Sequence, residues 1–162
     1  MNREVLQLIN IDKSYGEKIV TKVLNNINLT FYEGEFTAII GQSGSGKSTL
    51  LNIIGSLDKP TSGDILFRGD NISHFTNNEM ANFRNRSIGF IFQFHFLLPE
   101  FTVLENVLMP TWIKYGYDTE KDKERALELL EYVGLKDFIN RNSSNLSGGQ
   151  QQRVAIARAL MN

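Results

Sequence analysis

The chain has 162 residues, 41% hydrophobic and 22% charged, enough for one domain with a core of its own. Its 17 Lys and Arg against 18 Asp and Glu leave a net charge of −1, without the basic excess of a general nucleic-acid or anionic-lipid binder. The absence of cysteine excludes a disulfide scaffold, thiolate zinc, an iron–sulfur cluster and cysteine catalysis, and His74 and His95 are too few for a histidine-rich metal site.

No stretch approaches the roughly 18 apolar residues of a bilayer-crossing helix; 90–98 is the most apolar, and Gln93 and His95 interrupt it. Residues 1–16 hold no continuous apolar core of the secretory kind, so the expected location is the cytoplasmic side. Neither tandem repeats nor low-complexity linkers are present.

Residues 5–12 alternate apolar and polar positions and predict a half-buried strand, closed by a turn at Ser14-Tyr15-Gly16. Residues 19–31 predict one or two further strands, followed by a turn at Glu33-Gly34. The short apolar run 36–40, ending at Gly41, has the pattern of a strand buried on both faces of a parallel sheet. A helix is expected over 48–54, stopping at Gly55, and 58–63 is turn chemistry. Residues 65–72 form a hairpin around Arg68-Gly69-Asp70, 77–86 a helix, and 88–92 a second buried strand. A weak helix covers 102–113. The clearest helix spans 119–133, with Ala126, Leu129, Leu130 and Val133 on one face, Thr119 and Asp122 at its start and Gly134 at its end. Residues 147–160 form a last helix.

Chemistry concentrates in Gly41-Gln42-Ser43-Gly44-Ser45-Gly46-Lys47-Ser48, which fits G-x-x-x-x-G-K-[ST] between an expected strand and an expected helix, the context of a P-loop. A polyphosphate needs converging donors with no side chain in the way. Glycines let backbone N–H groups approach, and the following helix adds the positive end of its dipole. Lys47 is then the candidate for the β- and γ-phosphates, and the Ser48 hydroxyl for Mg²⁺. A second candidate anion site is Leu146-Ser147-Gly148-Gly149-Gln150: Ser147 at an N-cap, two glycines that expose N–H groups, and a helix behind them. Ser147 and Gln150 also have the spacing of an ordinary capping box, although such a box does not call for Gly-Gly.

Together the two motifs resemble the ATP-binding subunit of ABC transporters, with 146–150 matching the family signature and the likeness covering the whole chain. The resemblance implies an α/β P-loop NTPase core (ABC-type ATPase) with an N-terminal antiparallel β subdomain and a helical insert. Its expected layout is a single nucleotide-binding domain: 1–35 and 63–75 as the β subdomain, 36–62, 76–96 and 147–162 as core, and 97–146 as the insert. It implies ATP and Mg²⁺ as cofactors. Tyr15 matches the aromatic residue that stacks on adenine. Gly41, Ser43, Gly44, Ser45, Gly46, Lys47, Ser48 and Thr49 surround the phosphates. Gln93 matches the Q-loop glutamine that touches Mg²⁺ and the attacking water, so Lys47 and Gln93 are the catalytic candidates and Ser48 and Gln93 the metal ligands. Ser147, Gly148, Gly149 and Gln150 would act in trans, on the ATP of a second ATP-binding subunit in a homodimer formed on ATP binding.

The segment 89–102, with Leu104-Glu105-Asn106-Val107 and Met109-Pro110, looks like the lipoprotein-releasing branch, which also holds macrolide exporters. By that resemblance the insert grips a transmembrane permease subunit, and the chain sits peripherally on the inner face of the cell membrane, with no nucleic-acid partner. Phe94, Phe96, Leu97, Leu98 and Phe101 are dense enough to line an apolar docking patch; the plain alternative, fitting about half of them, is packing within the insert. His95 has no visible acid or metal partner and receives no catalytic role.

The family's Walker B aspartate, catalytic glutamate and switch histidine have no counterpart in the 162 residues, since no apolar strand here ends in Asp-Glu. The expected consequence is a truncated cassette that binds ATP without hydrolysing it and exposes unpaired strand edges. DNA-repair ABC ATPases carry coiled-coil or zinc insertions between the two motifs, and this chain has neither heptads nor cysteines. A non-transport scaffold of the cell-division type, regulating a membrane partner, is the alternative reading.

Overall fold

Along the first strand the buried side chains change parity, and the reason is a bulge. The computed structural model describes residues 3–161; Met1, Asn2 and Asn162, at the ends of the expected domain layout, lie outside them. Strand β1 (Glu4–Tyr15) buries Leu6 and Leu8, then exposes both Ile9 and Asn10, then buries Ile11 and Lys13. Asn10 has φ +52° in the left-handed region that asparagine tolerates, at the point where the pairing with the neighbouring strand shifts register. One extra residue moves the inward face from even to odd positions, so Lys13 points where an apolar side chain is otherwise expected.

β1 is central in an antiparallel sheet of order β2-β1-β3-β4, with β2 at Thr21–Tyr32, β3 at Ser62–Phe67 and β4 at Asp70–Asn71. The expected β-rich front is therefore present. It differs in one detail: Tyr15 still belongs to β1, so the turn begins at Gly16; of the one or two strands expected over 19–31, one forms. Helix α1 (Lys47–Ile54) follows the glycine-rich loop and ends at Gly55. The buried residues of this first compact unit, residues 1–80, include Leu24, Leu50, Ile53, Ile65 and Ile72.

The second compact unit, residues 81–162, is helical. Helix α2 (Asn77–Ser87) runs into it, followed by α3 (Val103–Tyr115), α4 (Glu120–Tyr132) and α5 (Gly148–Ala159). Val103 and Val107 of α3, Ala126 and Leu130 of α4, and Val154 and Ala157 of α5 share one buried cluster with Leu135 and Leu146. The period-3.6 face expected on α4 is the face it buries.

Two expected strands are not formed. Residues 36–40 and 88–92 lie in no ladder, and the four-stranded sheet is the one sheet among the described residues. Phe36 is 96% exposed and Ile40 90%. An apolar run records what a segment buries once neighbours pair with both its edges; without a neighbouring strand the backbone groups have no ladder to join. In 88–92 the rings of Phe90 and Phe92 instead stack on each other at 5.4 Å. Gly89 lies so close to the Ala159 carbonyl that a methyl group there would strike it.

Candidate functional site

The glycine-rich loop reaches α1 through two left-handed glycines, Gly44 at φ +79° and Gly46 at φ +88°. Gly46 is the N-cap, where a side chain would crowd Leu24 Cδ2 at 3.0 Å and the Val23 carbonyl at 3.1 Å. The loop path thus needs glycine for both conformation and space. No side chain caps α1, and its first turn holds no acidic residue, so its N–H groups and dipole are left for an external anion. The Lys47 ammonium curls back and donates to the Gly41 carbonyl at 2.9 Å and the Gln42 carbonyl at 2.7 Å, with Ser45 Oγ at 3.5 Å. A cation held by neutral acceptors beside an uncapped helix start fits a polyphosphate, whose charged oxygens make stronger acceptors than carbonyls. Ser48 is exposed and offers a hard oxygen donor of the kind Mg²⁺ takes.

Tyr15 closes β1 and is 43% exposed. Its hydroxyl donates to Asp58 Oδ2 at 2.6 Å, and Thr49 of α1 adjoins the same hydroxyl. Lys13 Nζ stands 4.7 Å from the ring centroid and donates to Asp58 Oδ1 at 2.7 Å and to the Lys59 carbonyl at 2.6 Å. The hydrogen bond to Asp58, helped by burial, raises the Tyr15 pKa above the usual phenol value. Burial pushes the Asp58 carboxyl up, but the hydrogen bonds from Lys13 and Tyr15 outweigh it and hold the group below the usual carboxylate value. Tyr15, Thr49 and the loop 41–48 all belong to the first unit.

Gln93 and residues 146–150 belong to the second unit. Gln93 is exposed, in a bend that lines a cleft of roughly 330 Å³ with Phe94, His95 and Phe96 on one side and Ser143, Ser144 and Gln151 on the other. Phe94 and Phe96 are 72% and 65% exposed and Leu98 is exposed too, whereas Leu97 packs on the helical cluster and Phe101 against Trp112. Phe96 takes φ +48°, and the Arg158 guanidinium from α5 donates to the carbonyls of His95 (2.7 Å) and Phe96 (2.8 Å). Burial lowers the Arg158 pKa. The His95 Nδ1 atom is buried without a hydrogen-bond partner.

Ser147 caps α5 in a full capping box: its Oγ accepts from the Gln150 N–H at 3.4 Å, and Gln150 Oε1 accepts from the Ser147 N–H at 2.9 Å. Around Gly148 and Gly149 a Cβ would meet open space. The capping box and the open glycines therefore coexist. Sequence reasoning passed over Lys13, Asp58 and Arg158. No periodic signal marked Lys13, because only the bulge at Asn10 turns it inward, where its charge needs a partner.

Among the described residues no helix is long and apolar enough to cross a membrane. The profile of the ABC transporter family matches residues 24–162. A lipoprotein-releasing system ATP-binding protein, LolD 1, of Rhodopseudomonas palustris is 48% identical over 97% of this chain and 70% of its own length. The LolD protein of Buchnera aphidicola is 51% identical over 99% of this chain and 70% of its own length. The dimeric structure of MJ0796, a bacterial ABC transporter cassette, is 46% identical with a TM-score of 0.87, over 97% of this chain and 69% of that one. The structure of cbiO1 from Clostridium perfringens is 30% identical with a TM-score of 0.82, over 98% and 62%. Sequence and backbone likeness extend over nearly all of these residues, and the chain belongs to the ATP-binding domains of the ABC transporter family.

Proposed function

We propose that this chain is the ATP-binding subunit of a lipoprotein-releasing ABC transporter, coupling ATP binding and hydrolysis to a transmembrane permease subunit on the inner face of the cell membrane. The observation that carries the ATP site is Lys47 folded onto the Gly41 and Gln42 carbonyls at the uncapped start of α1. Phosphate oxygens replace those carbonyls as acceptors. N–H groups of the glycine-rich loop and of the uncapped first turn of α1 add donors to the same charge, and Tyr15 stacks on adenine. Ser48 would offer its hydroxyl oxygen to Mg²⁺, which would supply neutralisation of phosphate charge, and Gln93 is proposed as a further metal and water contact. Ser147, Gly148, Gly149 and Gln150 serve the ATP of a second subunit in trans. The relatives' names support the lipoprotein-releasing reading, and exposed Phe94, Phe96 and Leu98 support a permease contact beside Gln93. The domain layout of core, β subdomain and insert belongs to the same proposal.

By themselves these 162 residues bind ATP without turning it over, because no apolar strand in them ends in the Asp-Glu pair that would order metal and water. Both statements are tested with Lys47→Ala. Hydrogen bonds to charged groups are worth roughly 1.5–3 kcal/mol, so a labelled ATP analogue should bind about ten- to a hundredfold more weakly. Equal affinities overturn the ATP site. Steady phosphate release by the unaltered chain, abolished in Lys47→Ala, overturns the absence of turnover.

A further inference from the structure

An exposed tyrosine is a poor stacking platform if its ring turns freely, because a partner must first immobilise it. The Tyr15 ring is not free. Asp58 holds its hydroxyl at 2.6 Å, and the Lys13 ammonium lies 4.7 Å from its centroid. Lys13 itself is 9% exposed and cannot move away, since Asp58 Oδ1 and the Lys59 carbonyl fix its Nζ at 2.7 and 2.6 Å. Asp58 is anchored in turn. Its own N–H donates to the Asn52 carbonyl at 3.2 Å, at the end of the helix that Lys47 begins, and its Oδ1 accepts from the Lys59 N–H at 2.7 Å. The Ser14 N–H donates to Thr61 Oγ1 at 3.0 Å, tying the end of β1 to the same turn. The ring is therefore clamped to α1, the element that carries the phosphate loop.

We propose that Asp58 and Lys13 are positioning residues that lock the Tyr15 ring at a fixed place relative to the phosphate loop, so that the nucleotide base stacks on a pre-set face. This rests on Tyr15 being the base platform. The ammonium covers one face of the ring, which leaves the opposite face for a base. Both the orientation and the distance from Lys47 are set before nucleotide arrives, so binding spends little side-chain entropy there. Neither residue touches the phosphates. The energetic signature is accordingly specific to the base.

The test is competition against a labelled ATP analogue on the full chain in Mg²⁺, with ATP and with inorganic tripolyphosphate, which shares the phosphates and lacks the base. Tyr15→Phe keeps the ring and removes its tether, Asp58→Asn removes the charge that holds Lys13, and Lys13→Met keeps the apolar stem. Each should weaken ATP about three- to tenfold and leave tripolyphosphate unchanged. Asp58→Asn should add less on top of Tyr15→Phe than it costs alone, since the hydroxyl tether is already gone and only the hold on Lys13 is left to lose. If Tyr15→Ala weakens ATP alone while Tyr15→Phe and Asp58→Asn bind like the wild type, the platform stands and the positioning role falls. If Tyr15→Ala leaves the ratio of the two affinities unchanged, the platform falls and the positioning role with it. Equal losses of both ligands in Asp58→Asn and Lys13→Met reduce these residues to structural support and overturn the proposal.

Discussion

At the scale of single residues, polar groups inside the fold decide more than their number implies. Asn106 is 1% exposed: its Oδ1 accepts from the Leu98 N–H at 2.8 Å, and its two amide hydrogens are shared among the carbonyls of Leu98, Phe101 and Thr102. One amide thus satisfies the backbone of the segment that leaves the Gln93 cleft and enters α3. Asn106→Leu preserves volume and leaves the Leu98 N–H without its acceptor, while the three carbonyls keep bonds from the Ser143 hydroxyl, the Ser143 N–H and the backbone N–H of residue 106. A stranded buried group costs about 1–3 kcal/mol, and that is the loss expected in urea unfolding. A loss below about 1 kcal/mol would show that the loop re-satisfies itself.

Among the elements, helices α3, α4 and α5 start on the same device. Thr102 with Glu105, Thr119 with Asp122 and Ser147 with Gln150 each form a reciprocal capping box, at the starts of α3, α4 and α5. Glu105 accepts from the Thr102 N–H and hydroxyl, both at 2.7 Å, and these bonds hold its carboxyl below the usual value of 4.5. Asp122 is lowered in the same way by the Thr119 hydroxyl and N–H. A carboxyl with a depressed folded pKa stabilises the fold fully above its unfolded value, and that contribution disappears as pH falls through the lower one. Wild type should therefore exceed Glu105→Gln in stability near pH 6, and the gap should close as pH drops from about 5 to about 3. A constant gap over that range would mean that the carboxylate contributes through packing alone. Thr102→Ala should cost about 1 kcal/mol at neutral pH, the usual price of an N-cap.

Across the whole molecule, two candidate phosphate sites sit in one chain, in different compact units: 41–48 in the first and 146–150 in the second. A single γ-phosphate does not need both, and the in-trans reading gives each a role. Mixing Lys47→Ala subunits with Ser147→Arg subunits, in cassettes that also carry the Walker B strand, separates the possibilities. A site shared between subunits leaves the mixed dimer one intact interface, from the loop of the second variant and the signature of the first. ATP-dependent dimerisation in the mixture, and in neither variant alone, is the expected result. A mixture as inert as its components, where wild type dimerises, would place each site within one chain.

The features legible in the sequence were local ones. The phosphate loop, the capping boxes at Thr119 and Ser147, the stop at Gly55 and the hairpin at Arg68-Gly69 depend on residues a few positions apart, whose dihedral preferences and hydrogen bonds hold in any surroundings. The two apolar runs 36–40 and 88–92 misled because a strand is a relation to a neighbour, and hydrophobicity alone does not supply the neighbour. Only the tertiary structure decided what holds the site residues in place. Asp58 meets Lys13 across 45 positions, and Arg158 reaches the His95 carbonyl across 63. No periodicity encodes such pairs. They follow from a bulge at Asn10 that turns Lys13 inward and from the packing that brings the end of α5 against the loop after Gln93. The sequence determined which groups are candidates for binding phosphate, and the folded chain determined how firmly the Tyr15 ring is held, because that hold depends on contacts between segments remote in sequence.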